Sequence, residues 1–205
     1  MNPSVLLYCR PGFERECAQE ISHFAGANGV DGYVKSKPDS GWLLFVPYED
    51  SATQRLQGQL QFSAFTFPRQ FVHQATLIEN LPTTNRAAPL ADVAASIAQQ
   101  AGLRFAEVWL ETADTNDAKE LSAFCRKFQP HMEKALRTRE LLSDKSHHRL
   151  HIFFLDSATA YVGVTDTGNS ASWPMGIPRL KAIHGAPSRS AQKLAEALGV
   201  FLTAE

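Results

Sequence analysis

The chain has 205 residues, of which 44% are hydrophobic and 20% are charged, and its formal net charge is −1. This length suits one large domain or two small ones, and the apolar content is high enough to form real cores, which excludes a disordered chain. No apolar run approaches the roughly 20 residues of a membrane-spanning helix, so we expect a soluble, cytoplasmic protein with no membrane partner.

Positive charge is concentrated in two segments of the chain. Residues 126–151 hold seven basic and three acidic side chains, and residues 169–195 hold four basic and no acidic ones. Residues 1–66, by contrast, hold five basic and seven acidic side chains. Clustered basic charge on a near-neutral chain is typical of a surface that binds a polyanion, but a solvated basic surface gives the same pattern. Charge alone leaves both interpretations open.

The first 80 residues predict a ferredoxin-like domain. Their element order is β-α-β-β-α-β, and the first helix has Phe13, Cys17, Ile21 and Phe24 on its inner face. The turn Pro38-Asp39-Ser40-Gly41 joins the second and third strands. In chain order, the predicted elements are a strand at 4–9, a helix from Gly12, strands at 30–37 and 42–46, a helix at 49–60 and a phenylalanine-rich strand within 62–72.

Residues 81–168 predict a second α/β domain, which begins with a polar linker at 81–89. We expect Asp114-Thr115-Asn116 to cap a helix that Pro130 ends, after which a basic helix continues to about Leu142. The other predicted elements are a helix at 90–101, a strand at 104–111 and a strand pair at 150–156 and 161–165.

Residues 169–205 predict a loop followed by one amphipathic helix. Pro174, Gly176 and Pro178 disfavour helix in the loop, where Trp173 could contact another domain or an RNA base. Ser188 or Ser190 supplies the helix cap, and Lys193 lies in the first turn, where the helix dipole disfavours a cation. The apolar positions of this helix are Leu194, Ala197, Leu198 and Phe201.

Three other patterns are weak indications of function. Cys9, Cys17 and Cys125 lack metal spacing, and we expect buried, reduced thiols. The histidines in 147–151 have no neighbouring cysteine or carboxylate cluster, so we expect no metal site. Asp166-Thr167-Gly168 spells an aspartic-protease triplet but lies in a polar segment that favours a turn.

Several motifs resemble known families. The segments Ser188-Arg189-Ser190-x-x-Lys193-Leu194-x-Glu196-Ala197, Met175-Gly176-Ile177-Pro178-Arg179-Leu180-Lys181 and Arg10-Pro11-Gly12-Phe13-Glu14-x-Glu16-Cys17 resemble ribose 2′-O-methyltransferases that modify a cytidine in 23S rRNA and use a Lys-Asp-Lys-Glu tetrad. Residues 114–121 resemble the centre of a THUMP domain, an RNA-binding module of RNA-modifying enzymes. The first resemblance fades between about residues 36 and 65.

The resemblance implies an α/β protein in three parts: a ferredoxin-like domain at 1–80, a THUMP-like domain at 81–168, and at 169–205 a linker with the first helix of a Rossmann-like methyltransferase domain. It also implies that Lys193 is the first lysine of the tetrad. Its ammonium group would position the ribose 2′-oxygen and stabilise developing negative charge, whereas a neutral lysine would act as a base. The whole protein would use S-adenosylmethionine, but we expect this chain alone to bind none and to be inactive.

The same resemblance implies that 23S rRNA, and not DNA, is the partner of a monomeric protein. Basic side chains attract the RNA backbone without reading its sequence, although cations near a helix C-terminus also stabilise the helix dipole. A stand-alone RNA-binding adaptor without catalytic activity is the alternative, and a protein-interaction domain is a third class. The candidate RNA-binding residues are Arg69, Arg126, Lys127, Lys134, Arg137, Arg179, Lys181 and Arg189.

Overall fold

A computed structural model of the chain describes residues 4–179 and 189–201. Seven of its elements are strands of one mixed sheet, in the order β2-β3-β1-β4-β7-β6-β5. Only β5 and β6 pair in parallel among these named strands. The elements are β1 (Ser4–Tyr8), α1 (Glu14–Ala27), β2 (Gly32–Ser36), β3 (Trp42–Pro47), α2 (Asp50–Gln59), β4 (Gln70–Ile78), α3 (Ala87–Ala101), β5 (Glu107–Thr112), α4 (Lys119–Thr138), β6 (His148–Phe154), β7 (Ala160–Asp166) and α5 (Arg189–Phe201), with short 3₁₀ turns at Phe62–Ala64, Thr167–Asn169 and Pro174–Gly176.

Strand β4 joins the two halves of the sheet. It pairs with β1 along its first residues and with β7 along its last, and its register with β7 shifts between His73 and Thr76. Gln74 lies in this shift with a left-handed φ of 54°, which bends the strand. Gly163 of β7 faces the bend, where a Cβ atom would lie 2.6 Å from the His73 carbonyl oxygen. Glycine therefore permits the two strands to approach each other here.

The sheet folds back on itself at this bend. Tyr8 of β1 stacks on Phe153 of β6 with ring centroids 4.7 Å apart, although β4 and β7 lie between these strands in the sheet. Trp42 of β3 reaches Tyr161 of β7 at 5.6 Å. A flat sheet would keep β1 and β6 about 14 Å apart. The two halves therefore pack face to face, with these aromatic rings between them.

The helices cover the two outer faces and form separate cores. Helices α1 and α2 bury Cys17, Ile21 and Leu56 against β1, β3 and β4, while α3 and α4 bury residues such as Leu90 and Met132 against β5, β6 and β7. Burying each such side chain contributes about 1.5–3 kcal/mol. No helix among the described residues is long and apolar enough to cross a membrane.

The α/β fold class and most predicted elements are confirmed, and the strand pair at β6 and β7 is antiparallel as expected. Two details of the first half are corrected. Phe13 is 38% exposed because it precedes α1, and Glu14 is buried instead. The phenylalanine-rich segment begins as a 3₁₀ turn, and its strand starts only at Gln70. The division near residue 80 stays a prediction.

The helix α4 corrects two further predictions. Pro130 does not end a helix, because α4 continues unbroken through it and buries Cys125, Met132 and Leu136 on both sides. This packing outweighs the roughly 3 kcal/mol that an interior proline costs. The predicted cap is also wrong: Ala118 is the N-cap and makes no side-chain hydrogen bond, while Asp114 binds arginines instead.

All three cysteines are free and buried, which confirms the expectation of buried thiols. Burial and the nearby Glu111 carboxylate raise the pKa of Cys125 to about 12. The pKa of Cys17 is also raised, chiefly by its hydrogen bond with Cys9. Such thiols stay protonated and unreactive near neutral pH.

Candidate RNA-binding surface

Asp114 gathers two of the predicted arginines. Arg69 Nη1 lies 3.3 Å from one carboxylate oxygen of Asp114, and Arg179 Nη2 lies 3.4 Å from the other. These residues come from the start of β4, the end of β5 and the segment after the Pro174–Gly176 turn. The Arg179 side chain is 69% exposed, so this pair is solvated on one side.

Arg126 lines the same region, which we call the Asp114 cleft. The cleft has a volume of ≈ 670 Å³ and is lined by Lys119, Arg126 and Arg179 together with Asp39, Asp114 and Asp117. It adjoins a groove of ≈ 800 Å³ between the 37–42 turn and the start of α4. Three cations and three carboxylates line the cleft, so the formal charges of its lining side chains balance.

The outer side of α4 differs, because its cations have no such partners. Arg126, Lys127, Lys134 and Arg137 are all exposed. None of them takes part in an ion pair within the part of the chain that the structure describes. Arg139, in contrast, pairs with Asp92 of α3 at 2.7 Å. Unpaired cations along one helix are available to the phosphates of a polyanion.

The remaining predicted residues lie towards the C-terminal end of the sequence. Lys181 lies outside the described residues, as does the side chain of Arg189. Lys193 is exposed on α5, beside Leu194 and Leu198, which are 61% and 47% exposed. Two exposed leucines on one helix face are typical of a surface that further protein covers.

A buried polar network, not predicted from the sequence, lies beneath the Asp114 cleft. The Glu111 carboxylate accepts hydrogen bonds from Tyr8 Oη at 2.9 Å and from His151 Nδ1 at 2.7 Å. The other ring nitrogen of His151 lies 3.1 Å from Thr165 Oγ1. Because a carboxylate only accepts, Nδ1 must carry a proton. Glu111 at the end of an otherwise mostly apolar strand was the available sequence signal, but nothing local pairs Glu111 with His151.

Burial and hydrogen bonding oppose each other at Glu111. Burial alone would raise the pKa of Glu111, but the interactions with His151, Met175 and Tyr8 together hold it below its ordinary value. Burial and the Glu111 charge raise the pKa of Tyr8 well above its ordinary value. The network is therefore an ionised carboxylate surrounded by donors.

This network also fixes the loop that forms one wall of the cleft. The backbone N–H of Met175 donates to the second oxygen of Glu111. The next residue, Gly176, has a φ of 65°, and a Cβ atom there would overlap the Arg69 backbone. The loop therefore packs between residues of both halves, close to Asp114.

Comparisons with known proteins identify the family. Residues 1–72 match the family described as RlmM ferredoxin-like domain, and residues 85–166 match Ribosomal RNA large subunit methyltransferase M, N-terminal. The chain belongs to the ribosomal RNA large subunit methyltransferase M family. The relative from Methylococcus capsulatus is 45% identical over 199 residues, which are 97% of this chain and 55% of that protein. The relative from Pseudomonas putida strain GB-1 is 43% identical over 98% of this chain and 55% of that protein.

The chain thus spans about half the length of the curated relatives of its methyltransferase M family. Solved structures with similar folds are distant in sequence. TrmN from Thermus thermophilus has a TM-score of 0.50 at 12% identity, over 82% of this chain and 46% of that chain. PH1313 from Pyrococcus horikoshii has a TM-score of 0.50 at 11% identity, over 80% and 54% respectively. These likenesses support the fold alone.

Proposed function

We propose that this chain recognises and positions 23S rRNA for 2′-O-methylation of a cytidine ribose by a catalytic domain outside it. The observation that carries the proposal is the row of exposed cations on α4 (Arg126, Lys127, Lys134 and Arg137) that lack ion-pair partners among the described residues. Membership of the methyltransferase M family supplies the reaction, and the half-length match supports a separate catalytic part. We also propose that the protein acts as a cytoplasmic monomer.

S-adenosylmethionine would supply the methyl group, but the residues of this chain do not fit it. Nucleotide-type cofactors bind where a glycine-rich turn leads from a parallel strand into a helix. The corresponding β5–α4 connection, residues 113–118, contains no glycine and carries Asp114 and Asp117. We therefore assign the cofactor to the catalytic domain, and we expect no methylation by the 205-residue chain alone.

We propose Lys193 as the catalytic residue of this segment. Its ammonium group would align the ribose 2′-oxygen and stabilise the negative charge that develops there. The exposed Leu194 and Leu198 beside it are the apolar face on which a catalytic domain would pack. In the full-length protein, Lys193→Ala should abolish methylation and leave RNA affinity within about twofold, because Lys193 acts on the reacting atoms. A full-length protein that never methylates RNA would favour the adaptor.

The RNA-binding part of the proposal is tested with the chain itself. Titration of a 23S rRNA transcript at several salt concentrations gives a slope of log affinity against log salt. Replacing Arg126 and Arg137 by glutamine should reduce that slope by about two, one for each lost phosphate contact. The matched control replaces Arg15 and Lys35, two exposed cations outside the basic segments, and should leave the slope unchanged. Equal slopes for both double variants would contradict the proposal.

A further inference from the structure

A third cavity lies between the start of α3 and the outer half of α4, and the charged side chains that line it are all basic. It has a volume of ≈ 380 Å³, and we call it the α3–α4 pocket. Three of the residues around it are basic: Arg86, His131 and Lys134. No aspartate or glutamate is among its described lining residues, and the other polar groups are Thr83, Asn85 and Thr138.

An aromatic row along α4 holds two of these basic groups in place. The Arg86 guanidinium lies 5.0 Å from the centroid of the Phe124 ring. Phe124 stacks on Phe128 at 5.3 Å with an interplanar angle of 15°, and Phe128 stacks on His131 at 6.3 Å. Because stacking restricts the side chains before any ligand arrives, a ligand of this pocket meets a preorganised site.

Arg86 also carries a donor without a partner in the described part of the chain. Its Nε atom is buried and has no hydrogen-bond partner among the described residues. A buried donor of a charged group without an acceptor is unfavourable. A shift of the Arg86 side chain that brings this N–H to an acceptor in the pocket therefore regains the hydrogen bond that it lacks. The pocket also lies at the N-terminus of α3, where the first turn holds no acidic residue and no side-chain cap.

We infer that the α3–α4 pocket binds a phosphate group and that, in the intact protein, this is one phosphate of the RNA backbone. A phosphate offers several acceptor oxygens to the Arg86 fork, the Lys134 ammonium and the His131 ring. Lys127 and Arg137 continue the positive charge along α4 beyond the pocket, which suits a chain of phosphates. The identity of the RNA rests on the proposed function, whereas the phosphate site does not.

The test follows the side-chain Nε–H signal of Arg86 by NMR in the 205-residue chain. We expect this signal to shift on addition of inorganic phosphate, and to shift at a concentration at least tenfold lower on addition of a short single-stranded RNA. Lys134→Gln should weaken both responses about tenfold, whereas Arg15→Gln should leave them unchanged. If inorganic phosphate and RNA shift the Arg86 signal at equal concentrations, the phosphate site stands but its assignment to the RNA backbone is overturned.

The outcomes also separate this inference from the proposed function. RNA binding without any response of Arg86 to RNA or phosphate would overturn the pocket and leave the proposed function intact. A response of Arg86 to phosphate in a chain that does not bind 23S rRNA would leave the phosphate site intact and overturn the proposed function. As a second measurement, Arg86→Gln should reduce the salt slope of RNA binding by about one. Thermal unfolding of each variant checks that the fold is retained.

Discussion

The Asp114 cleft and the α3–α4 pocket contain the same kinds of basic side chain in opposite electrostatic settings. In the cleft, Arg69 and Arg179 share the Asp114 carboxylate. In the pocket, Arg86 and Lys134 have no ion-pair partner among the described residues. An arginine held by a carboxylate must give up that partner before it binds a phosphate, whereas an unpaired one does not. Tertiary contacts, and not the number of basic residues, therefore distinguish the stronger anion site.

The buried contacts under the two regions also differ. Replacing Glu111, which lies under the cleft, gives the largest expected change in the free energy of unfolding. The cleft stands above the buried Glu111 network, whereas the pocket stands on apolar contacts of α3 and α4. Glu111→Ala should lower the free energy of unfolding by about 3–5 kcal/mol, because it leaves His151 and Tyr8 buried without their acceptor. Urea denaturation measures this change.

The matched control is Glu120→Ala, which removes an exposed carboxylate and should cost less than about 1 kcal/mol. The milder variant Glu111→Gln should keep the fold, and its Arg86 signal should still respond to phosphate. Similar losses of the free energy of unfolding for Glu111→Ala and Glu120→Ala would show that the Glu111 network does not stabilise the protein.

A drop in pH tests the bend of β4 at His73, which joins the two halves of the sheet. Burial lowers the pKa of His73 from 6.5 to about 4, although the Asp166 charge opposes this shift. Between these two pH values the unfolded chain binds a proton that the folded chain excludes. The contribution of His73 to the free energy of unfolding should therefore be constant above about pH 6.5 and should fall by about 3 kcal/mol as the pH drops to 4.

His73→Leu, which cannot titrate, should remove most of this loss, whereas the exposed His23→Gln should not. Glu111 adds to the loss only below its ordinary pKa of 4.5, since its own pKa is lowered further. Denaturation curves at pH 7, 5.5 and 4.5 thus isolate His73. A free energy of unfolding that does not change over that pH interval would refute the role of His73. RNA binding is best compared between variants above pH 6.5, where this loss is absent.

Local sequence patterns predict most of the helices and strands. The features that these patterns miss depend on contacts between residues that are far apart in the sequence. The step of four between Cys17 and Ile21 predicted a buried helix face, and both residues are buried. The prediction that Pro130 ends a helix is wrong because the local cost of proline is visible in the sequence, whereas the packing of Met132 and Leu136 is not. The prediction that Asp114 caps a helix is wrong for a similar reason, since its arginine partners lie far away along the chain.

The same reasoning applies to the candidate site. Lys134 was chosen from the sequence, but Arg86 and His131 were not, because only the packing of α3 on α4 brings them around one cavity. The sequence motif around Lys193 carried its assignment, and the structure adds only its exposure and that of its leucine neighbours.

Removing the carboxylate of the Asp114 cleft should make the cleft resemble the pocket, and this is the smallest expected effect. Asp114→Asn keeps the size of the side chain but frees Arg69 and Arg179 for phosphates. Their ion pairs are partly exposed, so the free energy of unfolding should change by less than about 1 kcal/mol. The affinity for 23S rRNA should rise about three- to tenfold at low salt, with a steeper salt slope, since two further cations become available. Asp92→Asn is the control, because it frees the single cation Arg139 away from the cleft and should have at most half this effect on the slope. An unchanged affinity for Asp114→Asn would mean that RNA does not reach the cleft, and that the cations of α4 and the α3–α4 pocket form the whole phosphate-binding surface.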